Sequence, residues 1–298
     1  VTSFPERESI EETYVLSPAY RELFQQVYSF SRELVRSGET LTGWRRRIRY
    51  WAALSILRCV MSSPAAAVAA LTKKAGAEAA AEDTEDALYA ALVYDPTDEE
   101  PVDVEPSHAV EQGEAQLPES GRRRLRQFAR LAEELMEKGA DTKVARCAEV
   151  VEKLLRDGFH PIVWCRYIET AKYVAAELAR RLTPSFPGLA VEAITGNLPE
   201  EDRSQKVEEL ATKSPRVLVA TDCLSEGINL QEQFTAVLHY DLPWNPNRLE
   251  QREGRVDRFG QQASKVRAVC FYGRDNPVDG AVLEVLLRKA AEIRKSLG

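Results

Sequence analysis

The chain has 298 residues, 44% of them hydrophobic and 29% charged, with a formal net charge of −7. This is the balance of a soluble globular protein, and it excludes a wholly disordered chain; the length suits one large domain or two ordinary ones at about 150 residues each. Cysteines 59, 147, 165, 223 and 270 form no CxxC pair and the three histidines are scattered, which excludes a disulfide framework, a zinc site and a histidine-based metal site and points to a reducing cytosol.

In chain order, Ser17-Pro18 reads as an N-cap followed by proline in the first turn of a helix that stops near Gly38. Tyr20, Leu23, Phe24, Val27 and Leu34 recur at helical spacing and should form one buried stripe. A second helix is expected to bury Trp44, Ile48, Trp51 and Leu54, with Ser55 and Cys59 continuing the face. Beside that stripe lie Arg45, Arg46, Arg47 and Arg49, either a solvated helix face or a patch that contacts phosphate. The apolar region from Trp51 to Leu71 is broken by Arg58 and Pro64, so no transmembrane span is expected, and no secretory leader is expected either.

From Ala75 to Gly121 there are fourteen Asp and Glu and no Lys or Arg. Taking these away from the net −7 leaves the rest of the chain at +7, a basic body that suits a nucleic-acid partner. The tract, rich in acid and proline and poor in large apolar residues, is expected to be a mobile insertion. Asp98-Glu99 is not a Walker B acid pair, because prolines flank it and no apolar strand precedes it. Ordered structure is expected to resume at Arg122, with Leu125, Phe128, Leu131 and Leu135 on a helix ended by Gly139; a further helix runs from Asp141-Thr142 to Gly158.

Beyond His160 the pattern changes. Short apolar runs at Ile162–Cys165, Ala190–Ile194, Val217–Ala220, Ala236–Tyr240 and Val266–Phe271 alternate with helical stretches at Glu169–Leu182, Pro199–Ala211 and Asn247–Arg258, and a last helix follows from about Val278. That alternation predicts an α/β fold, a parallel sheet covered by helices on both faces, in which ligands collect beyond the carboxyl ends of the strands. The expected organisation is a helical region at 1–74, the acidic insertion at 75–121 and the α/β lobe at 122–298.

Two stretches at strand ends carry the chemistry. After Val217–Ala220 come Thr221 and Asp222, then Ser225, Gly227 and Asn229, small or hydrogen-bonding residues that let backbone amides approach phosphate or ribose. After the fourth strand, Gln251, Arg252, Gly254, Arg255 and Arg258 are expected on one helix. Arg255 and Arg258, three apart, would then share a face and could either form surface ion pairs or cradle a transferring phosphoryl group.

The run QREGRVDRFGQ at 251–261 resembles motif VI of the Swi/Snf-type ATPases, whose pattern is Q-R-x-G-R-x-x-R-x-G-Q. YDLPWNP at 240–246 is similar to the D-x-x-W-N-P element of that family, TDCLSEGINLQ at 221–231 to its motif V, and IVWCRYIETAKYVAAEL at 162–178 to its motif IV. The wording most resembles the bacterial RapA-like branch, over about Asp141 to Gly273.

The resemblance implies the C-terminal RecA-like lobe of a two-lobed superfamily-two motor. ATP with Mg2+ would bind between this lobe and an N-terminal lobe. By the same resemblance Arg255 and Arg258 match the arginine fingers, Gly227, Asn229, Gln251 and Gly254 border the nucleotide, and Arg166, Thr195, Gly196 and Thr221 lie near the nucleic-acid backbone. Asn229 stands where many helicases carry Asp. The first helices would correspond to the family's protrusions, and a protein partner could engage the acidic tract. No G-x-x-x-x-G-K-[ST] and no DEx[HD] box occurs in the sequence, so the phosphate cradle and the magnesium-holding acid must come from the other lobe. The implied activity is translocation along double-stranded DNA by a cytoplasmic, nucleoid-associated bacterial protein. The alternatives are a non-catalytic RecA-like binding module and an RNA-directed helicase lobe.

Overall fold

The computed structural model describes residues 5–38, 44–72, 110, 117–225, 228–284 and 286. The expected acidic, mobile insertion falls almost wholly outside the described residues. Two compact units divide the chain: the first gathers the described residues of 5–15 and 142–286, the second those of 16–72, 110 and 117–141.

The second unit is helical. Helix α1 spans Pro18–Arg36; its N-cap Ser17 accepts a hydrogen bond from the Tyr20 amide, and Pro18 supplies the pre-set first turn. The stripe of Tyr20, Leu23, Phe24, Val27 and Leu34 is buried as expected, with Phe30 added to it. Helix α2, Trp44–Ser62, buries Ile48, Ser55 and Cys59 as expected, with Ala52, Ala53 and Ile56 added, whereas Trp51 and Leu54 are only half-buried and the Trp44 side chain lies outside the described residues. Ser63 accepts from the Ala66 amide and Pro64 follows it, so helix α3, Pro64–Thr72, starts at that break. Helix α4, Glu119–Glu137, buries Leu125, Phe128, Ala132 and Leu135, and Gly139 reverses the chain at φ +62°. In the division into compact units this helix falls with α1–α3.

The first unit is the α/β lobe, and its sheet has the order β1-β6-β5-β2-β4-β3. The strands are β1 (Glu6–Tyr14), β2 (Pro161–Trp164), β3 (Ala190–Ile194), β4 (Arg216–Ala220), β5 (Ala236–His239) and β6 (Lys265–Gly273), and every paired neighbour runs parallel. The helices are α5 (Thr142–Arg156), α6 (Ile168–Leu182), α7 (Glu200–Ala211) and α8 (Pro246–Glu253), with further helix at 277–284. They cover both faces, as the strand-helix alternation requires.

On one face Ile162, Trp164, Leu218, Ala220, Val237 and Ala268 pack with Val207 and Leu210 of α7. Alternate strand residues such as Val163, Val217, Val219 and Leu238 are equally buried. Strand β1 was not expected from the sequence. It lies in the 1–74 stretch expected to be helical, yet it adds to the edge beside β6, where Glu8 meets Lys265 at 3.0 Å and Arg267 at 2.9 Å.

Candidate functional site

The carboxyl ends of β2, β4 and β5 are tied together by a buried charge network. Arg252, near the end of α8 and 1% exposed, donates from Nε to Asp222 Oδ1 at 2.7 Å, from Nη2 to Asp222 Oδ2 at 2.9 Å and from Nη1 to the Asp241 carbonyl at 2.9 Å. The Asp241 carboxylate accepts from Lys143 Nζ of α5 and from the Arg166 amide, each at 2.9 Å. Lys143 also lies 4.2 Å from the centre of the Tyr240 ring. Burial alone would raise the Asp222 carboxyl, but the Arg252 guanidinium, with Arg248 and Arg166 nearby, holds it below the ordinary aspartate value. One carboxylate and one carbonyl are thus satisfied by one planar fork, a task for arginine alone.

On its other side α8 is held by Glu253, which meets His239 Nε2 at 3.1 Å and pairs with Arg7 of β1. Burial pushes the His239 imidazole down despite that carboxylate.

Helix α8 ends at Glu253, with Gly254 as its C-cap, so Arg255 and Arg258 do not project from one helix face. They lie in the turn that follows. The helix stops because Val256, 1% exposed, is drawn into the apolar core below the sheet. Gln261 pins the turn: its Nε2 donates to the carbonyls of Phe234 at 3.2 Å and Val256 at 3.0 Å, and its Oε1 accepts from the Ala263 amide. Gly260, at φ +94°, supplies the reversal before it. Flanking the anchored Val256, Arg255 and Arg258 line one hollow of about 630 Å³ with Ile228, Asn229, Gln231 and Phe259. Two guanidiniums and two side-chain amides beside an aromatic ring make a donor set for a polyanion with a planar group.

The other expected site residues divide by exposure. Asn229 is exposed and donates to Glu232 Oε1 at 3.1 Å, while Gly227 lies outside the described residues. Gln251 is half-buried, and a Cβ on Gly254 would sit 3.1 Å from the Glu250 carbonyl oxygen. Arg166 is half-buried, its guanidinium 5.7 Å from the Tyr167 ring centre. Thr221 is fully buried with its hydroxyl 3.3 Å from Cys223 Sγ, and Thr195, 3% exposed, donates to Asn197 Oδ1. These two threonines offer no open hydroxyl; beside Thr195, Gly196 brings backbone to the same strand end. Lys143 and Gln261 were not among the expected site residues, and Arg252 was expected on the chemistry-bearing helix without a role of its own. For Arg252 and Gln261 a signal was present in the Q-R and G-Q that open and close the 251–261 run. Nothing local marks Lys143, whose partner Asp241 is 98 residues away.

No group of three or more His, Cys, Asp and Glu among the described residues is arranged to hold a metal ion, and no described helix is long and apolar enough to cross a membrane.

Residues 143–260 match the family model described as the helicase conserved C-terminal domain. Over 93 residues, 31% of this chain and 23% of the relative, the sequence is 39% identical to the ATP-dependent RNA helicase eIF4A of Eremothecium gossypii. Over 159 residues, 53% of this chain and 26% of the relative, it is 30% identical to the uncharacterized ATP-dependent helicase YqhH of Bacillus subtilis. The chain therefore spans about a quarter of the length of the curated relatives it matches. The solved SWI2/SNF2 ATPase core of Sulfolobus solfataricus in complex with double-stranded DNA aligns with 90% of this chain and 41% of its own, at a TM-score of 0.51 and 17% identity, a likeness of fold. The sheet with its covering helices has the RecA-like fold of a helicase C-terminal domain.

Proposed function

We propose that the chain is the C-terminal half of an ATP-driven translocase of the Swi/Snf type that moves along double-stranded DNA, of the bacterial RapA-like branch and working at the nucleoid in the cytoplasm. The observation that carries this reading is the placement of Arg255 and Arg258 in one hollow with Ile228 and Asn229, beyond the strand ends. ATP with Mg2+, held chiefly by an N-terminal lobe, would supply the transferable phosphoryl group. Arg255 and Arg258 face the charge that develops on its oxygens, while Gly227, Asn229, Gln251 and Gly254 border the nucleotide. The anchoring of Val256 and Gln261 supports this role, because a finger acts only if its turn is rigid when the lobes close. Arg166 and the Thr195-Gly196 loop are assigned to the nucleic-acid backbone. Thr221, being buried, acts by shaping its loop.

The 298-residue chain alone should hydrolyse no ATP above background, since it contains no lysine-bearing phosphate loop of the G-x-x-x-x-G-K-[ST] kind. Robust hydrolysis by the purified chain, abolished by Arg255→Ala, would contradict the half-site reading. An RNA-directed motor is the second reading, favoured by the 39% identity to an RNA helicase over 93 residues. The DNA reading is favoured by the D-x-x-W-N-P and R-x-G-Q elements and by a SWI2/SNF2 fold that aligns with 90% of the chain. Stimulation of the complete motor by duplex DNA and not by RNA separates them. Arg255 and Arg258 are both present, which speaks against a degenerate binding module.

A further inference from the structure

Helix α4 carries its charges in the order opposite to the one its own dipole favours. Residues 119–130 hold Arg122, Arg123, Arg124, Arg126 and Arg130 against Glu119 alone, a net of +4, whereas residues 131–137 hold Glu133, Glu134 and Glu137 and no cation. The backbone dipole places positive partial charge at the first turn and negative at the last; Glu119 and the C-cap Lys138, which pairs with Glu134, agree with it, but Arg122–Arg124 and Glu137 do not. A further cost is mutual repulsion among arginines one turn apart. Local rules broken without a structural return are expected where a surface has a function.

Some of the arginines do have a structural use. Arg124 pairs with Glu33 of α1 and lies 4.9 Å from the Phe30 ring centre, and Arg122 Nε donates to the Leu117 carbonyl at 3.2 Å. Arg126 reaches Glu119, an exposed pair of little energetic weight. Arg123 and Arg130 form no ion pair or hydrogen bond with any described residue. Leu125, Phe128, Ala129 and Ala132 take the inner face of α4, which leaves Arg123, Arg126, Gln127 and Arg130 exposed together on the outer one.

From Arg123 to Arg130 the helix advances about 10 Å. One strand of a duplex presents a phosphate for each ~3.4 Å of axis, so this row of forks can meet about three consecutive phosphates. Guanidinium forks suit phosphate oxygens, and contacts of this kind carry no base code.

We propose that the Arg123–Arg126–Arg130 face of α4 is a nucleic-acid backbone contact, additional to the residues around the arginine hollow. The proposal rests on the reading that this chain works on nucleic acid, but not on whether that is DNA or RNA.

The test compares the full chain with its Arg123→Gln/Arg126→Gln/Arg130→Gln and Arg166→Ala variants, following duplex affinity over a range of salt together with the melting temperature. In the triple variant the slope of log affinity against log salt should become shallower by about 0.9 for each phosphate no longer neutralised, and low-salt affinity should fall at least tenfold. The melting temperature should hold or rise, because the helix sheds cations that oppose its dipole. Lysines at the same three positions should restore most of the slope. If the triple variant keeps the parental slope while Arg166→Ala lowers it, the α4 proposal is wrong and the nucleic-acid reading stands. If the parent shows no salt-dependent binding, both fail. A triple variant that binds duplex like the parent but no longer binds poly-glutamate would overturn the proposal in favour of an acidic protein partner.

Discussion

At the scale of single residues the site depends on Arg252, which no solvent reaches and which satisfies Asp222 and the Asp241 carbonyl together. Arg252→Met should cost about 3–5 kcal/mol, because it leaves a buried carboxylate and a buried carbonyl unpartnered. The pH dependence carries a sharper signature. With its pKa held down in the fold, Asp222 contributes stability that is complete above the unfolded value near ~4 and is lost as pH falls through the folded one. In Arg252→Met burial dominates and the carboxyl rises, so stability should decline as pH climbs past about 4. Urea midpoints measured between about pH 3 and 7 for the two chains check the reversal. Parallel curves would mean that the pair is not coupled as described.

At the scale of elements, β1 and the helix at 277–284 are joined through Tyr14. Its hydroxyl donates to Asp279 Oδ2 at 2.8 Å and accepts from Asn276 Nδ2 at 2.8 Å, while the Gly273 amide donates to the same carboxylate at 2.7 Å. Gly273 is required there, since a Cβ would lie 2.6 Å from Asn276 Cβ and 2.9 Å from the Tyr14 ring. Tyr14→Phe leaves two buried polar groups short of a partner and should cost about 1–3 kcal/mol. Hydrogen exchange should quicken at 273–284 while β2 and β4 stay protected; uniform loosening of the sheet would contradict this local linkage.

Five of the six strands and the helices between them were legible, because buried parallel strands read as apolar runs and the covering helices keep their period. Strand β1 was not, since an edge strand stabilised by ion pairs to Lys265 and Arg267 has no apolar signature. The end of α8 was misread for a related reason: the helical period continues through Arg255 and Arg258, but the core captures Val256 and breaks the helix. Of the site itself, residue types and strand-end positions could be read. The clamp could not, because Asp222 and Asp241 meet Arg252, and Lys143 meets Asp241, only through the fold.

At the scale of the whole molecule, the proposed function makes this fold one half of a composite machine. The sheet ends carry a rigid turn with two cations, and the α4 face of the helical unit adds a basic surface, but the sequence contains no phosphate-loop lysine. The central claim is that Arg258 serves the reacting phosphates and not the track. The most direct test is Arg258→Ala in the complete two-lobed motor, with turnover and duplex affinity measured on the same preparation. Turnover should fall by about 10³ to 10⁵, as for other arginine fingers, with affinity within about twofold of the parent. Equal losses in turnover and affinity, or turnover unchanged, would place this arginine elsewhere and contradict the claim.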